Sequence, residues 1–330
     1  MHGTMRALAR PMLALALALG VAATANAQQY KWNMPAPYAD GSFHTKNSRM
    51  FADDVRKLTN GRLDITVHPN GSLFKLPEIK RAVQTGQVPI AETNLPAYGN
   101  EFAFFEIDVL LFQAQGYDAV ARLWKISKPH VEKKLAEQGI TVLYSVPFPG
   151  MGMISKTPIT KLSDMKGTKQ RSWGPTASRF AELVGATPTV LQASELGQAF
   201  TVGIVDSTLT SSTTGVATQA WDYAKYFIDL QATHSKDTII VNTAAFKALP
   251  QDIQQAVLKA AADAEKRGWD WSIREGEETK ARLAKEGMII ITPDPAFMAD
   301  LRKVGEAMAR DWEKRAGPDG VAALKELHAK

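Results

Sequence analysis

The 330-residue chain has no cysteine. Disulfides and thiolate metal sites are therefore excluded, and a chain this long without staples must be held by its own core. Its six histidines form neither a His-x-x-x-His pair nor a Glu-flanked zincin pattern, so no metal is expected. Gly150-Met151-Gly152-Met153 is not a dinucleotide fingerprint, because position 155 is serine and no helix clearly opens there; no cofactor is expected. Nucleophile elbows, phosphate loops and an acid/base pair at recognisable spacing are all missing, which argues against an enzyme. A strong basic patch is missing too. The formal charge of +5 drops to +3 once Arg6 and Arg10 are set aside, and lysines are interspersed with acids, as at Glu132-Lys133-Lys134, so nucleic acid is excluded as a partner. No apolar run is long enough to span a bilayer comfortably. The longest, residues 12–23, follows a basic start and precedes Ala25-Asn26-Ala27, the small-x-small pattern of a cleavage site. Residues 1–27 read as a cleaved export signal, with an uncleaved anchor helix as the alternative. The mature chain is not expected to enter the membrane, and a sizeable periplasmic protein is implied.

What remains is ordinary globular material, 45% hydrophobic and 22% charged, long enough for two domains. Residues 30–34 read as a strand; Met50, Phe51, Val55 and Leu58 recur at helical spacing until Asn60-Gly61; Leu63, Ile65 and Val67 alternate as a strand should. A helix over 77–85 and a strand over 88–91 complete a β-α-β-α-β order that predicts a parallel sheet covered on both faces. Residues 94–108 bring Tyr98, Phe102, Phe104 and Phe105 into an irregular segment, where packing against the sheet competes with a role in a site. A helix over 117–138, carrying Pro129, leads to a strand over 140–146. Pro147-Phe148-Pro149-Gly150 marks a crossover, after which the helix-glycine-strand logic repeats. Residues 203–205 read as a short apolar strand. The run 250–286 predicts one long helix, at ~1.5 Å per residue more than one lobe needs, with Gly268 or Gly276 offering a bend. A buried strand over 288–291 and a final amphipathic helix over 300–316 close the chain.

The stretch 163–206 carries the functional signal. It reads as a capped turn, a strand ending in Arg171, a helix, a strand and a helix, and it closes on Gly203-Ile204-Val205-Asp206. Ligands of open α/β sheets sit outside the carboxyl ends of strands, and an arginine there offers a planar fork of donors to a carboxylate. A structural pairing of Arg171 with Asp206 is the competing reading.

The motifs Asn60-Gly61-Arg62, Gly86-Gln87-Val88, Asp164-Met165-Lys166-Gly167-Thr168-Lys169-Gln170-Arg171, Gly185-Ala186-Thr187-Pro188, Ser194-Glu195 and Gly203-Ile204-Val205-Asp206, in this order and spacing, resemble the solute-binding proteins of TRAP transporters, the DctP family. The resemblance implies an α/β two-lobed periplasmic binding protein, a clamshell with a long helix spanning both lobes. It would close on a small organic acid and hand it to the membrane permease subunits of a sodium-driven TRAP transporter. The expected division is 28–147 plus about 235–275 for the first lobe and 148–234 plus about 276–330 for the second. The resemblance also implies a bidentate bond from Arg171 to the ligand carboxylate. Departures narrow the ligand. The strand where members binding more polar acids carry a second arginine is here Gly150-Met151-Gly152-Met153-Ile154. Asn94 replaces a glutamate of some sialic-acid binders, Thr210 an often-used asparagine, and Trp173 the usual proline. The expected site is Arg171 for the carboxylate, Asn94, Thr210 and Thr213 for hydrogen bonds, and Met151, Trp173 and Tyr98 as apolar walls, with hinge or core packing as the alternative for Trp173. An aromatic monocarboxylate such as a benzoate derivative fits this set. A C4-dicarboxylate or hydroxy acid would need a second cation, for which Lys75 is available; a periplasmic enzyme on the same clamshell is the reading of another class.

Overall fold

The computed structural model describes residues 29–329, so the export-signal reading of 1–27 lies outside the described residues. The chain starts with β1 (Tyr30–Pro35), α1 (Phe43–Leu58), β2 (Leu63–His68), α2 (Leu76–Gln84) and β3 (Ile90–Asn94). Two 3-10 turns, Leu95–Tyr98 and Ala103–Val109, lead to α3 (Tyr117–Glu137) and β4 (Ile140–Pro147). A second lobe follows with β5 (Met151–Ser155), β6 (Lys169–Ser172), α4 (Pro175–Leu183), β7 (Thr187–Val190), α5 (Leu196–Thr201), β8 (Ser207–Ser211), α6 (Ser212–Ala217) and β9 (Tyr226–Ile228). The chain then returns through β10 (Lys236–Asn242), α7 (Thr243–Lys247) and α8 (Gln251–Lys285), and ends with β11 (Ile289–Ile291) and α9 (Pro295–His328).

Local chemistry sets these boundaries. Ser42 caps α1 by accepting the Thr45 N–H, Arg56 and Lys57 sit in its last turn, and Asn60 and Gly61 leave it with positive φ. Pro77 sits in the first turn of α2, where a missing N–H costs nothing.

The first lobe is not the parallel sheet expected from its β-α-β-α-β order. β1 and β2 pair in parallel, but β10 lies between β3 and β4 and runs antiparallel to both. The reason is the route of the chain. β3 and β4 both end at the side facing the second lobe, and β10 enters from that lobe, so it must run the other way. The second lobe holds a mixed sheet of order β11-β9-β5-β8-β6-β7. Its β8 starts at Ser207 and not at Gly203; the Ser-Thr-Leu-Thr-Ser strand is wholly buried yet carries four hydroxyl side chains, so it has no apolar signature.

Two crossovers join the lobes and bond to each other: Phe148 N–H donates to Ser235 O at 2.7 Å, Met151 N–H to Thr233 O at 2.8 Å and Ala232 N–H to Met151 O at 2.9 Å. α8 passes beside them as a continuous helix of 35 residues. Ile253, Val257, Ala260, Ala261 and Ala264 pack with Phe51 and Tyr144 of the first lobe, while Leu283 packs with Ile154 and Phe200 of the second, so the helix spans both. Gly268 lies inside this continuous helix. A Cβ there would stand 2.4 Å from Val146 Cγ2, so glycine lets the helix lie directly on β4.

α9 continues beyond the expected end at 316. Gly317 breaks it at φ 68, and Pro318 opens a fresh helical stretch to His328. Trp312, Ala323, Leu324 and Leu327 are buried in the first lobe's core, whereas Phe297, Leu301 and Met308 belong to the second. Placing all of 276–330 with the second lobe is therefore corrected: the end of the chain crosses back to cover α3. The lobes also meet on that side. Glu106 of the first lobe is wholly buried; its Oε1 accepts the Thr176 hydroxyl of α4 at 2.6 Å, and Arg315 of α9 stands 2.6 Å from Oε2. Gly174, just before α4, rests on the Pro96–Ala97 backbone, where a Cβ would meet Ala97 Cα at 3.3 Å.

Candidate ligand-binding cleft

Between the lobes lies a cleft of about 510 Å³, its open mouth included. The carboxyl end of β6 delivers Arg171 and then Trp173; the carboxyl end of β8 delivers Thr210 and Ser211; Met151 stands opposite Ser211 across the β5–β8 pair. The first lobe contributes Tyr38 from the β1–α1 loop and Asn94 from the end of β3, and the crossovers add Phe148 and Ser235.

Arg171 is 5% exposed. Its Nε donates to Leu191 O at 2.9 Å, which fixes the plane of the guanidinium. Among the described residues its two terminal nitrogens have no hydrogen-bond partner, and no carboxylate lies within 4.0 Å. The alternative partner, Asp206, instead accepts the Lys169 N–H at 3.1 Å. Burial pulls the Arg171 pKa down to about 10, with Tyr38, Tyr223 and Glu195 pulling the other way, so it remains a cation at neutral pH. A buried, charged, unpaired fork facing a cleft is costly unless an anion completes it.

Arg171, Asn94, Thr210, Trp173 and Met151 all line this cleft. Thr210 is 5% exposed, and its hydroxyl has no partner among the described residues. Asn94 donates through Nδ2 to Ser235 Oγ at 2.8 Å and to Lys236 O at 3.0 Å. Trp173 lines the cleft and also packs on the second lobe's core, its Nε1 pinned to Leu209 O at 3.1 Å, so the two readings of it coincide.

Tyr98 and Thr213 stand elsewhere. Tyr98 sits on a 3-10 turn that carries its ring back under α2: its hydroxyl accepts the Lys80 N–H at 3.1 Å, pairs with Thr93 Oγ1 at 3.1 Å and bonds Leu76 O. Burial pushes its pKa up to about 12, and it belongs to the first lobe's core. Thr213 turns from the cleft into a neighbouring recess, its hydroxyl 2.7 Å from Ser211 Oγ, and Thr214 takes the place on the wall. Lys75 is exposed at the start of α2 and does not reach the cleft, so Arg171 is the one Lys or Arg among the lining residues.

Sequence reasoning missed Tyr38, Phe148, Ser211, Gln192 and Ser235 on the wall. Phe148 lay inside the crossover motif, and crossovers border the cleft in a two-lobed fold; the others carried no periodic or motif signal. Burial, with Asp237 and Glu92 nearby, holds the Tyr38 pKa well above the usual phenol value, so its hydroxyl stays a donor.

The profile of bacterial extracellular solute-binding proteins, family 7 (DctP), matches residues 37–315. The chain belongs to this family. Among solved family structures, DctP6 of Bordetella pertussis, which binds pyroglutamic acid, is 44% identical, superposes with a TM-score of 0.89, and covers 91% of this chain and 100% of its own. DctP7 of the same organism, also described as binding pyroglutamic acid, is 41% identical with a TM-score of 0.89, covering 91% and 99%. The C4-dicarboxylate-binding periplasmic protein DctP of Rhodobacter capsulatus is 27% identical over 327 residues, 94% of either chain. As a DctP protein the chain is a periplasmic solute-binding protein of the TRAP type and not an enzyme, and its fold is the two-lobed α/β receptor. No helix among the described residues is long and apolar enough to cross a membrane.

Proposed function

We propose that this DctP protein captures a small cyclic monocarboxylate of the pyroglutamate kind and delivers it to the membrane subunits of a TRAP permease for sodium-coupled uptake. The carrying observation is that Arg171 is the single Lys or Arg lining the cleft and has no acid partner there. One carboxylate completes it; a second would be buried without a cation, which is costly enough to disfavour succinate or malate. The pyroglutamate relatives at 41% and 44% identity support the choice of ligand. Arg171 takes the carboxylate, with Asn94 and Thr210 supplying hydrogen bonds and Met151 and Trp173 the apolar walls.

The expected aromatic acid is the second reading, favoured by the apolar face that Phe148, Met151 and Trp173 present. Burying some 100 Å² of an aryl ring there contributes roughly 2.5 kcal/mol. Calorimetric titration with pyroglutamate, benzoate, phenylacetate and succinate separates the readings. Pyroglutamate is expected to bind at least tenfold tighter than succinate. A benzoate or phenylacetate affinity tenfold above that of pyroglutamate transfers the assignment to aromatic acids, and succinate binding tightest overturns both.

A further inference from the structure

Asn94 is held in one orientation. Lys236 O can only accept, so the atom 3.0 Å from it must be Nδ2, and Ser235 Oγ occupies the other Nδ2 direction at 2.8 Å. Flipping the amide would set its oxygen against a carbonyl oxygen. Oδ1 is thereby left as a fixed acceptor, and among the described residues no donor reaches it. The residue is 5% exposed and lines the cleft that Arg171 enters from the other lobe. The other polar side chains on the wall are hydroxyls, an amide without this constraint, the guanidinium, and the Trp173 indole, whose N–H is spent on Leu209 O; a hydroxyl can turn to donate or accept as a ligand requires, but the Asn94 oxygen cannot.

From this we infer that Asn94 Oδ1 reads an N–H of the ligand, making Asn94 the specificity-determining residue that selects acids bearing a ring N–H over their ring-oxygen counterparts. The inference rests on the monocarboxylate reading of the cleft but not on which ring the acid carries. With such a ligand the buried acceptor is paired. With an oxygen in the same place, two acceptors face each other in a closed cleft and both are left unsatisfied.

The test compares ligands that differ in that one group. Pyroglutamate and 5-oxotetrahydrofuran-2-carboxylate share a ring, a carbonyl and a carboxylate and differ only in N–H against O; pyrrole-2-carboxylate and furan-2-carboxylate make the same comparison for aromatic acids. The wild-type protein is expected to prefer the N–H member of whichever pair it binds by roughly tenfold to a hundredfold. In Asn94→Ala that preference should collapse to within about threefold, and in Asn94→Asp, which keeps an acceptor, it should persist although both affinities fall. A residue that only supports the fold would weaken both members of a pair alike. Equal wild-type affinities within a pair, or an unchanged ratio in Asn94→Ala, overturn the inference, and the wild-type ratio stands even if a variant does not fold. Binding confined to the pyrrole and furan acids removes the pyroglutamate reading while leaving the role of Asn94 decided by their ratio.

Discussion

In the proposed function Arg171 carries the carboxylate, because its Nε is tied to Leu191 O while its terminal nitrogens have no hydrogen-bond partner among the described residues. Arg171→Ala is expected to lower affinity by about 3 to 5 kcal/mol, two to more than three decades, with an unchanged circular dichroism spectrum. Arg171→Lys should restore only part of this, since an ammonium cannot present two parallel N–H groups. Calorimetry on both variants decides, and an Arg171→Ala affinity within fivefold of wild type would sink the assignment. The place of Arg171 on the cleft wall was legible in the sequence because it stands near the carboxyl end of a strand within a motif. Tyr98 was not: an aromatic in an irregular segment has no period to say which way its ring points, and its hydroxyl found three partners in the core. Thr213 fails differently. It lies in the first turn of α6 one residue before Thr214, and a single step of about 100° around a helix moves a side chain from one wall to the next recess.

The strands β3 and β10 hold a feature that no sequence pattern announced. Glu92 of β3 is wholly buried, accepting hydroxyls from Ser48 at 2.6 Å and Thr45 at 3.3 Å, and buried Asp237 of β10 lies close enough for the two acids to influence each other's charge. Burial pushes both acids up, Glu92 to about 7. An acid with a raised folded pKa stabilises fully below its unfolded value, near 4.5, and loses that contribution as pH rises to about 7. Glu92→Gln cannot ionise. Its stability relative to wild type should therefore rise between pH 5 and pH 8, by on the order of 2 kcal/mol, in urea melts at the two pH values. A difference that stays flat, or falls, would show that the pair is ionised in the folded protein. The pair escaped notice because β10 itself did: its seven residues, Lys-Asp-Thr-Ile-Ile-Val-Asn, begin with charges that read as surface, yet they form the middle strand of a sheet. The long helix was legible for the opposite reason, thirty-five residues of good helix formers with one apolar stripe.

For the molecule as a whole, the ligand can favour closure only by touching both lobes, and the cleft wall does combine Arg171 and Thr210 of one with Asn94 and Tyr38 of the other. Small-angle scattering should show a smaller radius of gyration at saturating ligand. The contact between Thr176 and Glu106 lies outside the cleft wall and crosses between the lobes, so Thr176→Val should weaken binding several-fold by disfavouring the closed state without touching the ligand. A variant with wild-type affinity and wild-type compaction would assign that hydrogen bond to the fold alone. The two-lobed plan was legible because its motifs recur in order; the return of residues 309–327 to the first lobe was not, because Gly317-Pro318 reads as a stop. The position of β10 has a consequence in time. The central strand of the first lobe is made only after the whole of 148–234, so a chain still being synthesised cannot close its first sheet until both walls of the cleft exist. The first lobe is therefore not a continuous piece that could complete its fold before the second is made, which suits a protein whose place of work lies on the far side of a membrane.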